Sequence, residues 1–169
     1  NLRKYADKLL IKPAASNVKS FLAQIRQLVK TNRATPAGEL IRQLNPKIKG
    51  WANYHRHVVS NTAFTKVDQA IFNCLYRWMK RRHPMKSRKW IKAKYFDSIE
   101  GRHWVFSGQV GNQEGQLRRL HLESAAKTAI KRHVKIKGEA NPYDAKWETY
   151  LEQRLGVKMA ANLRGRRGL

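Results

Sequence analysis

Nine cations and no acid stand between Arg77 and Lys94: Arg77, Lys80, Arg81, Arg82, Lys86, Arg88, Lys89, Lys92 and Lys94. His83 sits among them, and Trp78, Trp90 and Tyr95 punctuate the run. Ammonium and guanidinium groups at this density repel one another unless a polyanion lies against them, so the chemistry they suit is phosphate contact. Such contacts position a protein on nucleic acid and make binding salt-dependent without reading sequence. A solvated helix face is the plainer reading of a charge run, but an acid-free run in a chain of net charge +25 favours phosphate. Arg81, Arg82, Lys86 and Lys89 flank the break at Pro84 and are expected to contribute most. Arg56 and His57 are counted with them. A second basic set, Arg118, Arg119, Lys131, Arg132, His133, Lys135 and Lys137, suits DNA or RNA contact, and the tail cations Arg164, Arg166 and Arg167 would add non-specific affinity.

Other chemistries find less support. His55 and His57 are two residues apart and point to different helix faces, and no carboxylate or Cys cluster joins them or His83, so donor contacts to RNA suit them better than a metal. Asp97, Glu100, Glu123, Asp144, Glu148 and Glu152 form no acid–base pair and read as structural or capping residues. Gly108, Gly111 and Gly115 lack the Lys-Ser/Thr ending of a phosphate-cradling loop. Cys74 is the single cysteine, which excludes an intramolecular disulfide and a Cys-cluster zinc site; its helical neighbours mark it as a buried apolar residue. One cysteine fits a reducing compartment. Trp51, Tyr54, Trp78 and Trp90 fall at helical spacing among aliphatic residues, the pattern of core packing rather than base stacking. Tyr95 and Trp104 fit either role.

The elements that must hold these groups follow from periodicity. Leu2 to Pro13 reads as two short strands around Ala6-Asp7-Lys8. Val18, Phe21, Leu22, Ile25, Leu28 and Val29 make one apolar stripe, predicting a helix from Ser16, its N-cap, to Thr31. Thr35-Pro36 starts a second helix, with Leu40, Ile41 and Leu44 inward; Asn45-Pro46 repeats the cap-and-proline pattern and predicts a restart or kink. Gly50 beside Trp51 suggests a close helix–helix contact. A third helix, from Thr62 to Arg82, carries Phe64, Val67, Ile71, Cys74, Leu75 and Trp78 inward and ends at His83-Pro84. A short fourth helix spans Ser87 to Tyr95, with Trp90 and Ile91 facing in. Past Ile99 the pattern loosens: a strand at His103–Phe106, a polar linker holding Gly108, Gly111 and Gly115, strand-like alternation over 117–122, a basic extended segment over 131–138, a turn at 141–144 and a helix over 145–155.

Composition bounds the rest. A chain of 169 residues with 41% hydrophobic residues and five Trp can build a small core, and a pI near 10.8 is unusual for enzymes of small metabolites. No stretch approaches ~20 apolar residues, so a membrane partner is not expected. No signal peptide is visible, and a start at Asn1 suggests a fragment or processed product.

Several spaced motifs then occur together: Leu44-Asn45-Pro46, Gly50-Trp51-Ala52-Asn53-Tyr54-His55-Arg56, Trp78, Arg81-Arg82-His83-Pro84 with Lys86, Trp90, and Lys94-Tyr95-Phe96. In this order the chain resembles the maturase-specific domain, domain X, of group II intron-encoded reverse transcriptases. Residues 1–14 look like the terminal hairpin of the palm, 15–100 like the thumb or domain X, and 101–169 like the DNA-binding region with a basic tail. The resemblance implies a mainly α fold: a thumb bundle of three to four helices, preceded by a short hairpin and followed by a mixed, partly irregular basic region. It implies binding of intron RNA to assist splicing and clamping of the template–primer duplex during intron homing. Its partners would be group II intron RNA, target DNA or an RNA–DNA duplex, and the missing finger and palm part. The Tyr-x-Asp-Asp motif and the HNH nuclease residues are absent, so this chain alone is expected to catalyse nothing and to need no cofactor; Mg²⁺ belongs to the missing polymerase part. The setting implied is cytoplasmic, of bacterial type or organellar, associated with nucleoid or RNA. A stand-alone basic splicing factor and a primarily target-DNA-binding module are the alternatives.

Overall fold

The computed structural model describes residues 2–5, 8–99, 101–111, 116–131 and 136–155. It divides into two units, Asn1–Arg132 and His133–Leu169. The first unit therefore continues past residue 100, where the composition changes.

The first unit opens on strands β1 (Leu2–Tyr5) and β2 (Lys8–Ile11), which pair antiparallel with Leu2 opposite Ile11. Three helices follow: α1 (Ala15–Thr31), α2 (Ala37–His55) and α3 (Asn61–Arg82). Each buries one stripe at three- and four-residue steps: Phe21, Ile25 and Val29 from α1; Leu40, Ile41, Leu44, Ile48 and Ala52 from α2; Phe64, Val67, Ile71, Leu75, Trp78 and Met79 from α3. Trp51 stacks on Phe21, with ring centroids 4.9 Å apart, and closes the core at the α1–α2 seam. Truncating Ile71 or Leu75 to Ala would cost about 2–5 kcal/mol, because both are fully enclosed.

The mainly α character holds, and the bundle also carries a sheet. Helix α4 (Arg88–Tyr95) runs directly into β3 (Phe96–Ile99), followed by β4 (Arg102–Gly111) and β5 (Leu117–His121) in the antiparallel order β3-β4-β5. Gly101 turns the chain between β3 and β4 at φ +76°. Gly108 and Gly111 are thus strand residues, not a linker; Gly115 lies outside the described residues. The reason is packing: Gly108 lies against the backbone of Gly38 at the start of α2, and a Cβ on either glycine would run into the other segment's main chain. Only two glycines let helix and strand approach this closely.

Local expectations fail in four further places. Ser16 lies inside α1, whose N-cap is Ala14 with no side-chain cap bond. Helix α2 starts one residue after Pro36, and Thr35 Oγ1 donates to Asn32 Oδ1 at 2.9 Å instead of capping the helix. Helix α2 does not restart at Asn45-Pro46 but runs through Pro46 as one helix. Asn45 works sideways there: its Nδ2 donates to the His121 carbonyl and its Oδ1 accepts from the Glu123 N–H, both at 2.9 Å. With Leu44 and Ile48 buried on either side, the helix is held through its missing N–H. Gly50 is exposed and has nothing within reach of a Cβ, so no close helix contact explains it.

After β5 a 3-10 turn (Ala125–Lys127) packs on α3, where Asp68 accepts hydrogen bonds from Ser124 Oγ and from the Ala125 and Ala126 N–H groups. The second unit contains a 3-10 turn (Ala145–Trp147) leading into α5 (Glu148–Leu155). Its described residues contain no strand where the basic extended segment was expected; positions 132–135 of that segment lie outside the described residues.

Candidate nucleic-acid interface

The C-terminal turns of α3 carry Arg77, Lys80, Arg81 and Arg82, where cations also complement the helix dipole. His83 leaves the helix, and Ser87 Oγ restarts the chain as α4 by accepting the Trp90 N–H at 3.3 Å. Packing fixes this corner: His83 Nε2 and Tyr95 Oη are 2.7 Å apart, and the His83 ring meets Trp90 edge-on. Tyr95 is buried, which pushes its phenol upward, so it stays neutral. Burial, then the charges of Lys94, Arg82 and Lys86, hold the His83 imidazole below its ordinary pKa.

The aromatic residues brace the cations. Lys94 Nζ lies 4.7 Å and Lys86 Nζ 5.5 Å from the centre of a Trp90 ring. Arg88 and Lys92 lie 5.3 and 5.0 Å from a Trp104 ring, and Arg82 lies 5.1 Å from Trp78. Each contact holds a charge at the surface without neutralising it. Arg82 is further tied down, donating from Nη1 to the Thr35 carbonyl at 2.7 Å, so its guanidinium is partly used in joining α3 to the α1–α2 loop.

Between α1 and α3 lies a groove of about 630 Å³. Arg26, Lys30 and Arg33 line it from one side and Arg77, Arg81 and Arg82 from the other; Val29, Cys74 and Trp78 complete its lining. No acid is among the lining residues. Arg26/Lys30 and Arg77/Arg81 are both four apart, so each pair presents two charges on one helix face. Cys74 is half-buried rather than buried; burial raises its thiol pKa despite Arg77, Arg26 and Arg81 nearby, so it remains a thiol. Arg26, Lys30 and Arg33 were not singled out in the sequence. Their four- and three-residue spacing is visible there, but which helix they face is not.

Residues 18–96 match the family model of the group II intron maturase-specific domain. The chain carries a maturase domain of this kind. No curated protein matches the chain. In group II intron maturases the domain has a role in intron splicing and RNA binding and is not itself catalytic. The match runs from the first turns of α1 to the first residue of β3, so the maturase domain holds the groove and the α3–α4 corner whole.

The remaining sequence candidates are scattered. Arg56 and His57 are exposed just past α2, and the Lys131 N–H donates to the Arg56 carbonyl at 2.9 Å, placing Lys131 beside them. Tyr54, expected in the core, is 68% exposed next to this group. Arg118 is exposed on β5. Arg119 instead grips Asp97 with two hydrogen bonds of 2.6 Å and reaches Ser107 Oγ at 3.0 Å. His121 Nε2 joins at 2.9 Å from Asp97 Oδ2. Burial alone would raise the Asp97 pKa, but hydrogen bonds from Arg119, His121 and Ser107 and the Arg119 charge outweigh it and hold the carboxyl below its ordinary value. Lys137 belongs to the second unit, where its Nζ lies 5.2 Å from the centre of the Tyr150 ring. Arg132, His133 and Lys135 lie outside the described residues.

His55 is structural. It is buried, and its Nε2 lies 2.9 Å from Asn17 Oδ1, which also accepts the Trp51 indole N–H at 2.8 Å. Burial, then His57, lowers its pKa. Among the described residues, no group of three or more His, Cys, Asp or Glu side chains could hold a metal ion, and no helix is long and apolar enough to cross a membrane.

Proposed function

We propose that this chain grips group II intron RNA through phosphate contacts on two adjoining surfaces, the α1–α3 groove and the α3–α4 corner. The observation that carries this is the groove: five cations from α1 and α3, and Arg33 from the loop after α1, face one cleft with no acid among its lining residues. Such a site stays charged at a cost in self-repulsion that a polyanion relieves. Helix surfaces of this kind suit the backbone and the shallow minor groove of structured RNA, read by shape.

On this reading the maturase domain also serves as the thumb of a reverse transcriptase, clamping the template–primer duplex during homing. It works with a finger and palm part that supplies Mg²⁺ chemistry, and the residues after β5 contact target DNA. The cellular setting proposed is cytoplasmic or organellar and RNA-associated. Competition separates the parts of this reading. Labelled parent intron RNA bound to the chain is challenged with unrelated structured RNA of equal length and with target duplex DNA. Preferential retention of the intron supports a maturase role. Displacement by equal amounts of the unrelated RNA reduces the role to a general polyanion clamp, and stronger displacement by target duplex moves it to DNA.

A further inference from the structure

A second hollow lies on the other side of α3, away from the six-cation groove. It measures about 370 Å³, within the ~300–1,000 Å³ of small-molecule sites. It is lined by α3, by β3 and β4, and by the segment around Ser124. Phe72, Phe96 and Trp104 form its aromatic wall, with Phe96–Trp104 centroids 5.1 Å apart at 64°, Phe72–Trp104 at 6.3 Å and 80°, and Phe72–Phe96 at 5.8 Å and 44°. No two of these rings lie parallel, so they form a tilted cup instead of stacking closed on one another. Tyr76 stacks on Phe72 at 6.1 Å and 18°, bracing one wall. Phe72 and Trp104 are half-buried, so part of each ring stays open to a ligand.

Three cations stand at the Trp104 side of the cup, and two acids, Asp68 and Glu123, are in its lining. Arg88 and Lys92 sit over Trp104, and Arg102 lines the hollow itself with no ion pair among the described residues. Asp68, on α3, already accepts three hydrogen bonds from the 124–126 segment. Glu123 remains as an acceptor on the lining.

We infer that this hollow receives an unpaired base of the bound RNA, stacked in the Phe72–Phe96–Trp104 cup with its flanking phosphates on Arg88, Lys92 and Arg102. This rests on the proposed RNA-binding function and adds to it a site for single-stranded or bulged nucleotides. Aromatic stacking tolerates any base, because every base offers a π-face. A neutral protein side chain would fill the rings equally well but would leave the three cations unmatched, which favours the nucleotide.

The test uses the full chain and three labelled RNAs: a duplex with one bulged 2-aminopurine, the same duplex with an abasic bulge, and the fully paired duplex. The wild type is expected to bind the base-bulged duplex about 5- to 150-fold more tightly than the abasic one, with 2-aminopurine fluorescence quenched on stacking. Trp104→Leu keeps apolar contact with Phe72 and Phe96 and is expected to erase the difference. Arg102→Gln leaves the rings in place and is expected to reduce it. Equal, steeply salt-dependent wild-type binding to both bulged duplexes overturns the base site and leaves the RNA-binding function standing. Failure to bind any of the three overturns that function, and this inference with it. A base preference undiminished in both variants places the base elsewhere and overturns the inference. So does an NMR titration in which N-acetyltryptophanamide shifts the Trp104 indole resonance and adenosine monophosphate does not.

Discussion

The α1–α3 groove and the β3–β5 sheet are both rich in cations, and they treat them in opposite ways. In the groove, Arg26, Lys30, Arg77 and Arg81 converge with no acid among the lining residues. On the sheet, Arg119 is matched to Asp97 by two 2.6 Å bonds, with His121 as a third member. The first set leaves its charge for a partner; the second uses it to pin β5 to β3 across β4. Cation density is therefore a poor guide to an interface until the acids are placed, because an isolated guanidinium and a paired one look alike in sequence.

The largest effect should come from reversing the groove. Arg77→Glu with Arg81→Glu is expected to weaken intron RNA binding on the order of 100-fold at low salt, read by filter binding, because two phosphate contacts become repulsions. Thermal stability should stay near wild type, since neither side chain is buried.

The sheet pair should behave conversely. Arg119→Ala is expected to cost about 1–2 kcal/mol, seen as a lowered Tm, because it leaves a half-buried Asp97 short of donors. RNA affinity should change less than twofold. An affinity loss matching that of the groove variant would erase the contrast between the two regions.

The pH dependence sharpens the contrast. Asp97 is held below its ordinary pKa in the folded chain, so the unfolded state takes up a proton first as pH falls. Its stabilising contribution is present above the unfolded value of about 4 and is lost as pH drops through the folded value. The Tm difference between wild type and Arg119→Ala should shrink below about pH 4. A constant difference down to strong acid would contradict the pairing.

The smallest effect concerns His83, whose folded pKa is also lowered. Unfolded His protonates below about pH 6.5 while the folded imidazole stays neutral, so this residue subtracts stability as pH falls through that window. His83→Gln should remove part of that acid sensitivity, measured by denaturant melts at pH 7.5 and 5.5. Bound phosphate would offset Lys94, Arg82 and Lys86, so RNA binding near pH 6 should take up a fraction of a proton in wild type and less in the variant.

The helices were legible because α1, α2, α3 and α4 each bury a stripe at helical spacing, a property local to the sequence. The unbroken α2 was not, because what holds it through Pro46 is an anchor from Asn45 to His121 and Glu123, more than seventy positions away. The same holds for Gly108, whose requirement is set by Gly38. The α3–α4 corner could be read from the acid-free run between Arg77 and Lys94. The opposing wall of the groove could not: Arg26 and Lys30 fall on a polar face of α1, Arg33 follows in the loop, and they become part of a site only when α1 packs on α3. The pairing of Arg119 was hidden for the same reason, since its acid is twenty-two positions upstream.

The most direct test is the slope of log K against log salt concentration for intron RNA. It would be measured for wild type, for Arg26→Ala/Lys30→Ala/Arg77→Ala/Arg81→Ala, and for Arg119→Ala. The wild-type slope should be steep. The four-alanine variant should lose about 0.7 to 0.9 of slope for each phosphate contact removed, while Arg119→Ala keeps the wild-type slope. A four-alanine variant with an unchanged slope would show that phosphates do not lie in the α1–α3 groove, and would contradict the account at its centre.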